Sequence, residues 1–524
     1  MITHILFCIC TVIFAVSFCF SIIDSMHFFQ LNSYRFDTHT KWIGQNFNKY
    51  LPHYLLSVIL FIFTLFQFNI NFKLSAAIVV FLISLPVEKP KKAKKPLVYT
   101  PRVKRMLITT AIITLACVVP PVVIYVPKHH QTIALVFIVS LYLLSPYIVL
   151  LANLINKPIE LSINRHYTND AKRILRSCPD LTVIGVTGSY GKTSVKYYLN
   201  TLLRAKYNVL MTPESYNTPM GVVKTIRGSL KATHEIFICE MGAKWVGDIK
   251  ELCDIVHPDH GIITSIGPQH LESFKTLDAV KNTKFELADA LPKNGMLFLN
   301  GDDENIRDKK GDRPCITYSI GGEADYVASN ISVSDRGTAF TVTAPDGESE
   351  NFSTKLIGRH NVLNITGAIA ISNKLGIPLS ALKGQVRKLD GVPHRLELSE
   401  KGGVTIIDDA YNSNPSGTKA ALEALSLFSG YKILVTPGMV ELGEKQEELN
   451  REFGQNAASV CDYVVLVGQK QAVPIKAGLL DKDYDENKIF VANTINEALA
   501  HVYSLHTANQ KKVILLENDL PDNY

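Results

Sequence analysis

The sequence predicts an N-terminal α-helical transmembrane domain followed by an α/β region. That region divides into a P-loop central domain with a parallel sheet and a Rossmann-like C-terminal α/β domain. Three observations predict this. Apolar residues concentrate before residue 157, although the mean hydropathy of the 524 residues is only +0.12. After "KPIE", short β-branched runs alternate with amphipathic stretches, the texture of parallel strands joined by crossover helices. Within that region "LTVIGVTG" runs into "GSYGKTS" and then the helical "VKYYLNTLLRAK", the strand–loop–helix setting of a phosphate-binding loop.

The first domain, residues 1–157, contains five apolar stretches: His4–Ile23, Tyr54–Phe68, Leu74–Val87, Met106–Val126 and Gln131–Ile155. The first, fourth and fifth are long enough to cross a hydrocarbon core of about 30 Å. The second and third are short and read as a tight helical hairpin. The first stretch has no basic flank or small-residue cleavage site, so it reads as a span and not a cleaved leader. The segment Glu88–Arg105, "EKPKKAKKPLVYTPRVKR", carries eight basic residues and one acid. Other loop cations are Arg35, Lys41, Lys49, Lys73 and Lys128. The positive-inside rule then puts the N-terminus outside and everything after Lys157 in the cytosol, a multi-pass protein of a bacterial cytoplasmic membrane. The lysine run also suits contact with anionic lipid headgroups. Pro120-Pro121 predicts a kink or break in the fourth span.

The net charge is +6, and much of it lies in that one run, so no nucleic-acid partner is expected. None of the nine cysteines has zinc-site spacing, and all read as reduced thiols. Residues 158–180 read as a linker, 181–395 as a central nucleotide-binding domain and 396–524 as a C-terminal domain. The boundary falls in the Gly/Pro-punctuated "LDGVPHRLELSEKGG". Around Tyr326–Leu356 the texture becomes alternating and turn-rich, which predicts a small antiparallel insert.

In the loop, glycines let backbone N–H groups curl round phosphate oxygens, and the following helix N-terminus adds partial positive charge. Lys192 can reach the β- and γ-phosphates, and the Thr193 hydroxyl can coordinate Mg2+. Gly188, Ser189, Gly191 and Ser194 complete the ATP grip. Gly188 precedes Gly191 by three residues, not the five of the common Walker form.

An ordered set of motifs accompanies the loop. These are "TPESYNTPMG", "ICEMGAKWVGDI", "SIGPQHLESF", "NTKFELADAL", "LNGDDEN", "GRHNVLN", "GVPHRLE", "IDDAYNSNPSGTKAAL" and "GMVELGE". Over roughly residues 181–520 the set resembles the Mur ligases, the ATP-dependent amide ligases of peptidoglycan precursor synthesis. "DDAYNSNP" and "MVELGE" are most similar to the MurF branch, the UDP-N-acetylmuramoyl-tripeptide–D-alanyl-D-alanine ligases.

The resemblance implies an acid–amino acid ligase. The γ-phosphoryl group of ATP activates a carboxylate as an acyl phosphate, an amine attacks, and phosphate leaves. It implies catalytic roles for Lys192, Glu240, His270 and Lys284, and two Mg2+ ions held by Thr193, Glu240, His270 and Lys284. Lys284 matches a lysine carbamylated in most Mur ligases. The resemblance also makes Asn300 and Asn361 adenine-side contacts. Arg395 and Asp409 become C-terminal-domain residues that reach ATP. Asn217, Tyr411, Asn412 and Asn414 fall on the substrate side, with His360 a secondary candidate.

Two departures qualify it. The MurF branch begins with a soluble domain that binds a UDP-sugar, and here membrane-like stretches stand instead. After the last strand that branch usually carries a "KGS"-like turn, where this chain reads "VILLENDLPDNY". The expectation is therefore a membrane-anchored ligase with retained ATP chemistry and altered substrate binding. Its partners would be membrane lipid, an amino acid or dipeptide amine, a carboxylate acceptor such as an undecaprenyl-linked precursor, and envelope-synthesis proteins. The alternatives are a membrane polyglutamate-type ligase and a non-catalytic ATP-binding regulator of envelope assembly.

Overall fold

A computed structural model describes residues 2–45, 47–88, 96–127, 130–310, 314–334, 336–392, 394–410, 414–440, 442–508 and 510–518. The described residues divide into two compact units, one up to residue 165 and one from residue 166 onward.

The first unit is helical: α1 Ile2–Leu31, α2 Phe36–Gln45, α3 Phe47–Leu65, α4 Ile70–Glu88, α5 Pro101–Tyr125 and α6 Gln131–Leu143. α7, Ser145–Arg176, begins here and runs on past residue 165. Its core is aromatic: Phe81 lies 5.6 Å from Phe14 and 5.0 Å from Tyr142 between ring centroids. The outer faces are apolar too, with Ile108, Ile112 and Leu115 on α5 each about 60% exposed.

Against the five stretches read from the sequence, two helices among the described residues, α1 and α5, are long and apolar enough to cross a membrane. The number is three if α6 and α7, bent by 75° at their junction, count as one broken span. α5 continues through Pro120 and Pro121 without interruption of the helix. Lys73, read as a loop cation, lies instead in the first turn of α4. There it is buried and donates to the Thr64 carbonyl at 2.8 Å, satisfying one of the orphan acceptors at the end of α3. Residues 89–95, with five of the eight basic residues of that segment, and Lys128 lie outside the described residues. The stretch read as a linker is largely helical, because α7 extends to Arg176 and tolerates Pro158 within it.

The second unit holds two sheets. The strands of the first are β1 Thr182–Thr187, β2 Val209–Met211, β3 Ile236–Glu240, β4 His260–Ile263, β5 Leu297–Asn300 and β6 Ile316–Ile320, followed by β7 Tyr326–Ser334, β8 Gly337–Thr343 and β9 Ser349–Thr354. Their order is β2-β3-β1-β4-β5-β6-β7-β8-β9, parallel as far as β7. The antiparallel β7–β9 is therefore no separate insert: β7 pairs with β6 and extends the same sheet. β1 lies between β3 and β4, and its five C-terminal residues are buried, as expected of a central parallel strand covered on both faces.

The second sheet has the order β10-β11-β15-β12-β13-β14. These strands are β10 Glu397–Lys401, β11 Val404–Asp409, β12 Tyr431–Thr436, β13 Tyr463–Val467, β14 Ile489–Ala492 and β15 Lys512–Glu517. Only β10 is antiparallel to its neighbour. In both sheets the functional candidates gather at the carboxyl ends of parallel strands, where open α/β sheets bind ligands.

Candidate active site

The loop after β1 is shaped by two glycines. Gly188 has φ +147°, and a Cβ there would come within 2.1 Å of Thr264 Oγ1. Gly191 has φ +80° and immediately precedes α8, Lys192–Leu203. Both positions favour glycine on backbone grounds, and the first on space as well. The neighbouring strand end braces the loop. Tyr190 N donates to Ser265 Oγ at 2.8 Å, Thr264 Oγ1 donates to Tyr190 O, and Ser189 Oγ accepts from Gly267 N at 3.0 Å.

Lys192 folds back into the loop and donates to the Gly188 and Ser189 carbonyls at 2.7 and 3.0 Å. Burial lowers its pKa to about 8, against the opposing field of Glu240. Glu240 ends β3 and is the hub of the site. Its Oε1 accepts from Asn217 at 3.0 Å and from Thr193 at 3.3 Å. Its Oε2 has the Lys196 ammonium 3.0 Å away as an ion-pair neighbour and accepts no well-aligned hydrogen bond. Burial pushes this carboxyl up, but Lys196, Lys192 and Asn217 together hold it below the ordinary value. Asn217, assigned to the substrate side by resemblance, is thus a partner of the Glu240 carboxylate.

Lys284 is buried on the helix Leu277–Ala290. Burial, then the nearby Lys192 charge, drives its pKa well below that of a free lysine. His270 stands at φ +53° just before the short helix Leu271–Phe274.

A cavity of about 470 Å³ opens beside the loop, within the usual range for a small-molecule site. Gly191 and Ser194 line one side, and Asn300 and His360 another. Arg395, Asp409 and Asn414 come from the second sheet's side. Asn361 also lines it, but its amide is committed within the protein: Oδ1 accepts from Tyr198 at 2.7 Å and Nδ2 donates to Ile357 O at 2.9 Å. Asn300 is held likewise, donating to Thr264 O at 2.9 Å. Burial lowers the His360 pKa to about 4. Asn414 is the N-cap of the helix Pro415–Ser426, accepting from Gly417 N at 2.8 Å. Tyr411 and Asn412 lie outside the described residues.

Sequence reasoning missed three residues. Lys196 follows Lys192 by four positions, so helical periodicity alone puts both on one face of α8. Tyr190 lines the cavity, and its ring occupies space that opposite Gly267 leaves open: a Cβ there would lie 2.5 Å from the ring. Glu517, on the last strand, pairs in register with Asp409.

The residues fit Mg-ATP. The loop curls around a lysine ammonium, Glu240 brings a buried carboxylate paired with Lys196, and Thr193 beside it adds a second hard oxygen donor. A P-loop on a parallel sheet, with a second α/β sheet lining the same nucleotide-sized cavity, defines a P-loop nucleotide-binding protein built from two α/β domains.

Comparisons with known proteins specify the class. Residues 186–372 match the Mur ligase middle domain, and residues 394–517 match the Mur ligase glutamate ligase domain. The chain is 31% identical over 344 residues to the UDP-N-acetylmuramoyl-tripeptide–D-alanyl-D-alanine ligase of Escherichia coli, covering 63% of this chain and 75% of that one. It is 35% identical over 277 residues to the Bacillus subtilis enzyme of the same name, covering 52% and 59%. Among solved structures it is similar to MurF from Acinetobacter baumannii, with a TM-score of 0.62, 26% identity, and 68% and 77% of the two chains covered. It is also similar to MurF ligase from Thermotoga maritima in complex with ADP, with a TM-score of 0.61, 28% identity and coverage of 68% and 80%. The chain belongs to the Mur ligase family, in its MurF-like branch, and is an ATP-dependent amide ligase.

Proposed function

We propose that this ligase is anchored in the cytoplasmic membrane and joins an amino acid or dipeptide amine to the carboxylate of a peptidoglycan or related envelope precursor, with a lipid-linked acceptor favoured over a soluble UDP-linked one. The observation that carries the reading is the apolar helical unit before residue 165, with its outward-facing isoleucines and leucines. Confining enzyme and acceptor to one surface raises their effective concentration.

ATP supplies the phosphoryl group that activates the carboxylate, and Mg2+ offsets the charge that builds during transfer. The chain's residues divide that work. Lys192 would exchange two neutral carbonyl partners for phosphate oxygens. Thr193 and Glu240 offer oxygen ligands to one metal, with Lys196 and Asn217 fixing the Glu240 carboxylate. His270 and Lys284 are the proposed ligands of a second ion. Burial lowers the pKa of this lysine and so favours the neutral amine, the form that adds CO2, and the resulting carbamate would present oxygen in place of an ammonium. Arg395 brings a fixed cation from the C-terminal domain, and Asp409 and Asn414 flank it at the cavity.

The test uses the full chain in detergent or nanodiscs with Mg-ATP, offered UDP-linked tripeptide or lipid-linked tripeptide together with D-alanyl-D-alanine or single amino acids. Product masses name the amine. Faster turnover on the lipid-linked acceptor is expected. Efficient use of the UDP-linked acceptor with none of the lipid-linked one would overturn the acceptor assignment. Polymer formation from labelled glutamate would point to the polyglutamate alternative, and ATP binding without amine-dependent phosphate release to the regulator.

A further inference from the structure

β11 and β15 run parallel, and their final registered pair is Asp409 with Glu517. Neither side chain is exposed. Asp409 lines the cavity beside Arg395, and its Oδ1 accepts from Leu396 N at 3.0 Å. That bond ties the segment carrying Arg395 to the end of β11. The segment is otherwise unfavourable, with His394 and Leu396 both at positive φ, 60° and 49°. Such geometry is strained for a residue with a side chain and persists only where surrounding contacts enforce it.

Glu517 lies behind Asp409. Both of its carboxyl oxygens are buried, and among the described residues neither meets a hydrogen-bond donor. The group that faces it is the Asp409 carboxyl. Two carboxylates in contact repel unless one carries a proton. With one proton between them they form a hydrogen bond to a charged group, the stronger class. Burial, then Asp409, pushes Glu517 well above the carboxylate range, so it is the member that keeps the proton.

We propose that Glu517 is a positioning residue: its protonated carboxyl donates to Asp409, fixes that carboxylate on Leu396 N, and so holds Arg395 at the nucleotide cavity. The inference rests on reading the cavity as the ATP site. It gives the sequence departure at "VILLEN" a role, since the acid at the end of the last strand acts through Asp409 and does not itself touch substrate.

The test compares Glu517→Gln, Glu517→Leu and wild type in the full solubilised chain. The readouts are KM for ATP, kcat, direct binding of ADP and thermal melting. Glutamine keeps a donor toward Asp409, so KM for ATP and ADP affinity are expected to stay within about twofold of wild type. Leucine keeps bulk and removes the donor, so KM for ATP should rise about tenfold or more, with a smaller change in kcat. Glutamine affinity falling as far as that of leucine would overturn the proposal, and so would leucine leaving KM unchanged. If the leucine variant melts below the assay temperature, glutamine alone decides: a KM for ATP more than fivefold above wild type rejects a donor role. Wild type and Lys192→Ala serve as controls. If wild type binds no ADP, the reading of the cavity fails. If it binds and the Glu517 variants behave alike, this inference fails.

Discussion

Lys196 Nζ sits 3.0 Å from Glu240 Oε2, and neither side chain is more than 1% exposed. A buried ion pair adds little net stability, yet removing one member leaves the other charge stranded, at about 3–5 kcal/mol. Lys196→Met should therefore destabilise the chain by about that amount in denaturant unfolding. The double variant Lys196→Met/Glu240→Leu should recover much of the loss while remaining inactive. A single-variant loss under about 1 kcal/mol, the range of exposed pairs, would show that the pair is not a constraint on the fold.

Among the described residues, the hydrogen bonds of Lys192 go to the loop that holds it, to the Gly188 and Ser189 carbonyls. Lys192→Ala should leave the melting temperature within a few degrees of wild type and reduce amine-dependent phosphate release at least about a hundredfold. Unchanged phosphate release would remove the lysine from the phosphate site.

Much of this site is legible in the sequence because its parts are local. A strand, two glycines and a helix start place Lys192 and Thr193 within a few residues of one another, and Glu240 marks a strand end. What was not legible is pairing at a distance. The extension of the sheet through β6 and β7 depends on which edge lies open, and a turn-rich composition does not record that. The break between α6 and α7 falls at Leu144, and a window average of hydropathy passes over it, although Ser145-Pro146 directly after it is a helix-start signal. The ionic partner of Lys196 lies 44 residues away in sequence, and Glu517 takes its meaning only from its register with Asp409.

Tyr190 and Gly267 form a matched pair. A Cβ on Gly267 would lie 2.5 Å from Tyr190 Cε2 and 2.9 Å from its hydroxyl oxygen. Gly267→Ala should push the ring into the cavity it lines and raise KM for ATP, at an overpacking cost of about 1–3 kcal/mol. Tyr190→Ser in the same chain should remove the clash and restore KM toward the value of Tyr190→Ser alone. Steady-state kinetics on the four proteins measures the coupling. Additive effects would mean that ring and glycine act separately.

The helices Gln446–Ala458 and Ala472–Leu480 approach so closely that glycine is needed on both. A Cβ on Gly478 would stand 1.9 Å from Arg451 O, and one on Gly454 would stand 2.1 Å from Ile475 O. Each obstacle is backbone, so no side chain can swing aside and the helices themselves must part. Gly478→Ala should cost at least the 1–3 kcal/mol of ordinary overpacking, despite alanine's better helix propensity. Gly384, inside the helix Leu379–Arg387, is the control, because nothing lies within 4 Å of its added Cβ. Gly384→Ala should therefore stabilise the chain by about 0.4–1 kcal/mol. Thermal or urea unfolding of the two variants should move in opposite directions from wild type. If Gly478→Ala unfolds no more easily than Gly384→Ala, helix propensity outweighs the packing and the close crossing is not a constraint.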